Sequence, residues 1–384
     1  MARCMRIRRG RLLPLLSFGL VSILLGRIMA ANLEAGSAAP RTGRELYTNA
    51  CAACHGMDGR GAPADVVGFD LPLPDFTDSS FASREAAADW HYVASEGGPA
   101  RGFSRIMPAF GDALTDEEIQ KIVAHVHTFY PDKDWPRGEL NLPRALKTGK
   151  AYPEDELVFT STFEREGHGK VANKVIYEKR IGALNQFELI FPFGWAEQTI
   201  SPSNEKEWRG SFGDVGVAFK RVMHHSIESG SIVSVAGEMF FNSGDKADGF
   251  GAGTTVFEPF LAYGQLLPAD YFIQCQTGFE LPFNGKQANE VVFWRGALGR
   301  TFETGAYGRA WSPMIELIGE KELARNTDTN WDIIPQMQVT LNNRQHVRLC
   351  AGVKIPMNNR DLRETEFMMY LLWDWFDGGF FEGW

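Results

Sequence analysis

Cysteine is scarce, with five in 384 residues. Cys4 lies near the N-terminus, Cys51 and Cys54 stand three apart, and Cys275 and Cys350 are isolated, so no disulfide framework holds this chain together. Excess positive charge is also lacking. Lys and Arg number 39 against 48 Asp and Glu, a net charge of -9, which leaves no field to hold a polyanion and excludes nucleic-acid binding. Uninterrupted apolar runs of 18 residues are missing, and the longest, Leu12 to Leu25, falls short of the roughly 20 residues a spanning helix needs. A helical membrane anchor in the mature chain is therefore not expected. No nucleophile-and-base constellation, metalloprotease helix or phosphate loop occurs. The glycine cluster Gly249–Gly253 has no helix after it and reads as a flexible turn.

What is abundant is glycine, 40 residues, and phenylalanine, 28 residues, over a length that predicts two or three domains. Arg3, Arg6, Arg8, Arg9 and Arg11 precede the apolar run, and small residues follow at Ala30 and Ala31. That order predicts a secretory signal peptide over residues 1–31.

The segment Cys51-Ala52-Ala53-Cys54-His55 has the CxxCH spacing of c-type haem attachment. Two thiols one helical turn apart suit thioether bonds to two vinyl groups, and the adjoining imidazole then faces the iron. Export agrees with this chemistry, which belongs outside the cytoplasm. A sixth ligand must approach from the opposite face of the ring. Met57 is tethered too closely to His55 to reach it, whereas Met107, stiffened by Pro108, can. Behind it Thr115 and Glu118 form a capping box before Ile119, Ile122, Val123 and Val126 at helical spacing. His91, His125 and His127 are rival ligands that read more simply as surface or helix-packing residues.

With ELYTNACAACHGMDGRG, a middle helix from about Arg84 to Ser95 ending at Gly97 and Gly98, and MPAF before a last helix, residues 41–131 resemble a class I cytochrome c. The resemblance implies an all-α domain carrying one covalently attached heme c. Cys51 and Cys54 would be its thioether sites, His55 and Met107 its axial ligands. A filled sixth position implies an electron carrier rather than a catalyst.

Residues 132–155, with Pro136, Pro143 and Pro153, predict a semi-rigid linker. From 156 to 384 the period changes to two. Phe187, Leu189, Phe191 and Phe193 alternate with Glu188, Ile190 and Pro192, and Phe367, Met369, Leu371 and Trp373 oppose Glu366, Tyr370 and Asp374. About twelve such stretches occur. Their length, an aromatic C-terminus, and short connections such as Gly182 to Asn185 against long ones at Trp195 to Ser211 and Ser243 to Gly253 favour an outer-membrane antiparallel β-barrel over a soluble sandwich. Glu178, Arg180, Glu188, Glu238, Glu280, Arg295, Arg348, Lys354 and Glu366 fall on the lumen side, to line a pore or to pair and fill it. FELIFPFGW, GDVGVAFKRV and AGVKIPMNNR make this domain similar to the porin-like barrels grouped with the MetA proteins of phenol-degradation operons, which implies an outer-membrane location.

The sequence thus predicts a single-haem c-type cytochrome hanging on a tether in the periplasm below its barrel. Its expected partners are periplasmic redox proteins and outer-membrane lipid. An outer-membrane solute channel with an accessory haem domain, or an oxidoreductase subunit with a soluble β domain, are the alternatives.

Overall fold

The structure, a computed structural model, describes residues 40–130, 133–164, 169–200, 205–304 and 309–374. The expected signal peptide and the aromatic C-terminus lie outside the described residues.

The N-terminal unit is helical. Thr42 caps the helix Gly43–Ala50 in a reciprocal box with Glu45, and Thr115 and Glu118 do the same for Asp116–Val126, as the capping pattern predicts. These two helices cross tightly because position 43 has no side chain: a Cβ there would stand 2.1 Å from the Lys121 carbonyl oxygen. Leu46, Tyr47, Phe76, Ile122 and Val126 form the core between them, with Trp90 and Phe129 at its margin. The middle helix runs Ala87–Glu96, starting three residues later than expected, and ends where Gly97 turns at φ 81°.

The second unit is an antiparallel barrel. Its strands are β1 (Glu156–Glu164), β2 (Lys170–Ile181), β3 (Asn185–Ile200), β4 (Glu205–Phe212), β5 (Gly216–Ser226), β6 (Ser231–Phe240), β7 (Val256–Leu266), β8 (Tyr271–Pro282), β9 (Val291–Arg300), β10 (Phe302–Thr304), β11 (Arg309–Glu322), β12 (Asn330–Thr340), β13 (Val347–Pro356) and β14 (Glu366–Asp374). β4 and β5 pair successive parts of β3, and β9 and β10 successive parts of β11, so fourteen segments make twelve staves. β1 pairs with β14 from Glu156↔Asp374 to Glu164↔Glu366, which closes the sheet and leaves it no long open edge. The stretch Trp195–Ser211, expected as a long loop, instead continues as the β3–β4 hairpin. Cross-strand pairing carries it past the point where Gly213 interrupts the second strand.

Alternation sorts the two faces. Phe191, Phe219, Leu261, Leu298, Leu317 and Phe367 project outward and exposed, while Glu156, Val158, Gln186, Ser234, Glu316 and Tyr370 point inward and are buried. Cys275 is exposed and Cys350 buried, each with a free thiol, so they face opposite sides as the period of two requires. Connections at one end are short, residues 182–184, 227–230 and 267–270. At the other they are longer, notably 241–255 and 357–365.

Residues 138–155 are no tether; they fold into the barrel. Leu142 and Ala145 pack against inward Val158, Ile176, Phe272, Met314 and Leu372. Arg144 lies 2.6 Å from both Glu156 and Glu178. Beyond the 3-10 turn Gly138–Leu140, prolines leave this stretch without regular structure, so its backbone groups need partners elsewhere, and a set of inward glutamines and a glutamate supplies them. The amides of Arg144, Leu146, Thr148, Gly149 and Glu154 donate to Gln338, Gln336, Glu316, Gln276 and Gln186. Gln274 in turn donates to the Pro143 carbonyl. The haem-motif unit does not hang free either. It docks on the short-turn end, with Arg84 2.5 Å from Asp155, Glu85 3.4 Å from His346, and the Gly138 amide on the Ser83 carbonyl at 2.7 Å.

Candidate functional site

Cys51 ends the first helix and begins a single turn, Ala52–His55, so the two thiols and the imidazole sit on one coil of backbone. The following chain is held back against that coil: the Gly61 and Ala62 amides donate to the His55 and Cys54 carbonyls at 2.9 and 2.7 Å. The Tyr47 hydroxyl donates to the Gly56 carbonyl at 2.8 Å, and Gly56 takes φ 76°, which a side chain would oppose.

Burial of His55 holds its pKa below the usual imidazole value, so the ring is neutral at physiological pH, the form that ligates a metal. Its Nδ1 is buried with no hydrogen-bond partner among the described residues. Phe76 stacks on the ring with centroids 4.9 Å apart, and Trp90 meets Phe76 edge-on at 5.3 Å. Burial pushes the Cys51 thiol up to about 11, with Cys54 adding to the effect. Reactive redox thiols and zinc thiolates need the opposite shift, so Cys51 is poorly suited to either chemistry.

Met107 is half-buried at the end of the loop that follows the middle helix, whereas Met57 is 58% exposed. The Gly98 amide donates to the Met107 carbonyl at 3.1 Å, and the Met107 amide to that of Ser104 at 3.2 Å. The helix ending at Gly97 also carries Trp90, and so links the Met107 loop to Phe76 and His55. The rival histidines are engaged elsewhere: His125 packs on Tyr47 and Phe129, His127 on Trp90 and Tyr130, and His91 lies 3.7 Å from Asp116.

Lumen charges read from the alternation are mostly paired. Glu178 meets Arg144, Arg295 lies 3.2 Å from Glu320, Arg348 3.2 Å from Asp374, and Lys354 pairs with Glu366. Arg180 lies over the rings of Trp135 and Tyr152, both from the segment expected as linker. Among the described residues, no helix is long and apolar enough to cross a membrane, and no group of three metal-ligating side chains occurs.

The family described as "Cytochrome C oxidase, cbb3-type, subunit III" matches residues 38–126, under a quarter of the chain. The N-terminal unit is a cytochrome domain. Among solved structures, the barrel is similar to an outer-membrane channel from Pseudomonas putida F1 (9% identity, TM-score 0.42, 61% of this chain and 100% of that one). It is also similar to the NanC porin (10%, TM-score 0.41, 57% and 100%) and to the KdgM porin in complex with disordered oligogalacturonate (12%, TM-score 0.38, 57% and 99%). No curated protein matches. The barrel architecture rests on its own strand register rather than on these similarities. The cytochrome c domain implies a covalently bound haem, and the donor set fits it: two free thiols one turn apart, a neutral buried imidazole with an aromatic shelf, and a thioether on a separate, well-held loop.

Proposed function

We propose that the protein is a single-haem c-type cytochrome that transfers electrons at the periplasmic side of the outer membrane, held there by its barrel. The observation that carries this reading is the joining of a CxxCH turn to a closed twelve-stave barrel whose outer face is aromatic and aliphatic. Staves of about ten residues match the hydrocarbon thickness a tilted strand crosses. Turn length supports this orientation, because such barrels keep short turns on the periplasmic side and longer loops outside, and the cytochrome domain docks at the short-turn end.

In this reading Cys51 and Cys54 would hold the haem covalently, and His55 and Met107 would hold its iron. The haem supplies a one-electron couple, and methionine ligation raises its potential. Phe76 and the Leu46–Val126 core keep water from the imidazole side. Electrons would pass to and from soluble periplasmic redox proteins. The channel alternative loses support because Leu142, Arg144 and Leu146 fill the lumen at the cytochrome end. The test is rapid mixing of detergent-solubilised holoprotein with a reduced soluble c-type cytochrome. Second-order haem reduction is expected, and it should vanish in Cys51→Ser/Cys54→Ser. Solute flux through proteoliposomes in the absence of electron exchange would refute the proposal.

A further inference from the structure

Residues 98–107 lead into Met107 and are pinned from two sides. On the cytochrome side, Arg101 ends the turn Gly98–Arg101 and is only 3% exposed. Its Nη2 lies 2.8 Å from Asp89 Oδ1, and its guanidinium stacks 4.2 Å over the Tyr92 ring. On the barrel side, the same Nη2 lies 3.8 Å from Glu303 Oε2 on β10. Arg344, in the turn between β12 and β13, donates to the Gly102 carbonyl at 3.4 Å and sits 4.8 Å over the Phe103 ring.

The path from rim to ligand is short. Gly102 adopts φ 72°, directing its carbonyl at Arg344. The Phe103 amide then donates to the Gly98 carbonyl at 2.9 Å, and the Gly98 amide donates to the Met107 carbonyl. Nothing larger than glycine fits at 98, since a Cβ would stand 2.3 Å from the Ser104 carbonyl oxygen and 3.1 Å from the Met107 Cβ. The turn is therefore stiff between the rim contact and the thioether.

We propose that the barrel rim, through Glu303 and Arg344, positions Met107 on the haem iron and thereby sets the haem potential. The inference rests on the reading of Met107 as sixth ligand. A thioether is a neutral ligand that loses conformational freedom when its loop is fixed, so ligation is favoured by whatever fixes the loop beforehand. Two contacts from the barrel, one a charged guanidinium on a carbonyl and the other an ion pair to a buried arginine, supply that fixing. Arg101 and Arg344 are positioning residues in this account, since neither touches the haem ligands directly. The membrane anchor and the redox centre are then energetically coupled: a disturbance of the rim at Glu303 or in the turn 341–346 changes the potential without altering any ligand.

The experiment uses full-length holoprotein in detergent, with heat-modifiable migration confirming a folded barrel in each variant. Arg344→Ala and, independently, Glu303→Gln are compared with Arg344→Lys and with Met107→Ala. Three quantities are read: the methionine-to-iron charge-transfer band of the oxidised protein, its loss on raising pH, and the midpoint potential. Expected for Arg344→Ala and Glu303→Gln is a loss of about tenfold in the equilibrium that favours methionine-ligated haem, the scale of one charged hydrogen bond. The band should disappear at lower pH, the potential should fall, and Arg344→Lys should recover part of both. If Met107→Ala abolishes the band while the rim variants leave band, pH profile and potential unchanged, the coupling is overturned and the ligand reading stands. If Met107→Ala itself leaves the band intact, the ligand reading fails and takes this proposal with it.

Discussion

His127 packs between the Trp90 and Tyr130 rings, with centroids 6.3 and 5.7 Å away, and burial together with nearby Arg137 lowers its pKa to about 4 from an ordinary 6.5. The unfolded chain therefore takes up this proton first as pH falls, and folding stability attributable to His127 is lost between pH 6.5 and 4. Chemical denaturation of the holoprotein at stepped pH should show that decline, and His127→Phe should flatten it. Position 43 makes a second prediction. Gly43→Ala places a methyl group 2.1 Å from the Lys121 carbonyl oxygen, so the helices must part, at a cost of about 1–3 kcal/mol. Cytochrome-domain unfolding followed by haem absorbance should register it, with the barrel unaffected. At this scale the sequence is most informative, because CxxCH and the Thr115–Glu118 box are local patterns whose partners lie within four residues. The Arg101–Glu303 contact has no such pattern, since 202 positions separate its members.

Among the elements, the alternating strands were readable for the same reason: each carries its own inside and outside. The segment 138–155 was not. Prolines and absent periodicity indicate little regular structure, and only the short 3-10 turn Gly138–Leu140 forms, so a semi-rigid linker is the natural inference from the sequence alone. Where its backbone groups go depends on five inward glutamines, Gln186, Gln274, Gln276, Gln336 and Gln338, scattered over three strands, β3, β8 and β12. Glutamine repeatedly placed on the lumen side is the signal that could have revealed it. The stub is held mostly by buried polar bonds, so breaking them is costly. Arg144→Ala leaves Glu156 and Glu178 buried beside each other without their shared cation, a loss of about 3–5 kcal/mol. The temperature at which the barrel loses its compact gel form should drop markedly. Replacing residues 141–149 by a glycine-serine stretch should convert planar bilayers from silent to conducting, whereas the native chain should show no stable open level. Equal conductance in both would mean that the segment does not seal the lumen.

Over the whole molecule, a cytochrome domain and a barrel share one interface of polar and charged contacts, at Arg84–Asp155, Glu85–His346 and Arg101–Glu303. Three such contacts, together with a segment threaded into the lumen, make the cytochrome domain part of the barrel's closure at its short-turn end rather than a passenger on it. A haem docked at one end of the barrel cannot by itself carry charge through a hydrocarbon band about 25 Å tall, so the proposed function looks to exchange with soluble partners on the same side. The most direct measurement of this account is haem staining of outer-membrane fractions after carbonate washing, on gels run with and without boiling. The account predicts a covalent haem band that resists the wash and changes mobility on heating, at a mass set by the 42.9 kDa chain less the expected signal peptide. Haem-stained protein released by the wash, with mobility indifferent to heat, would contradict it.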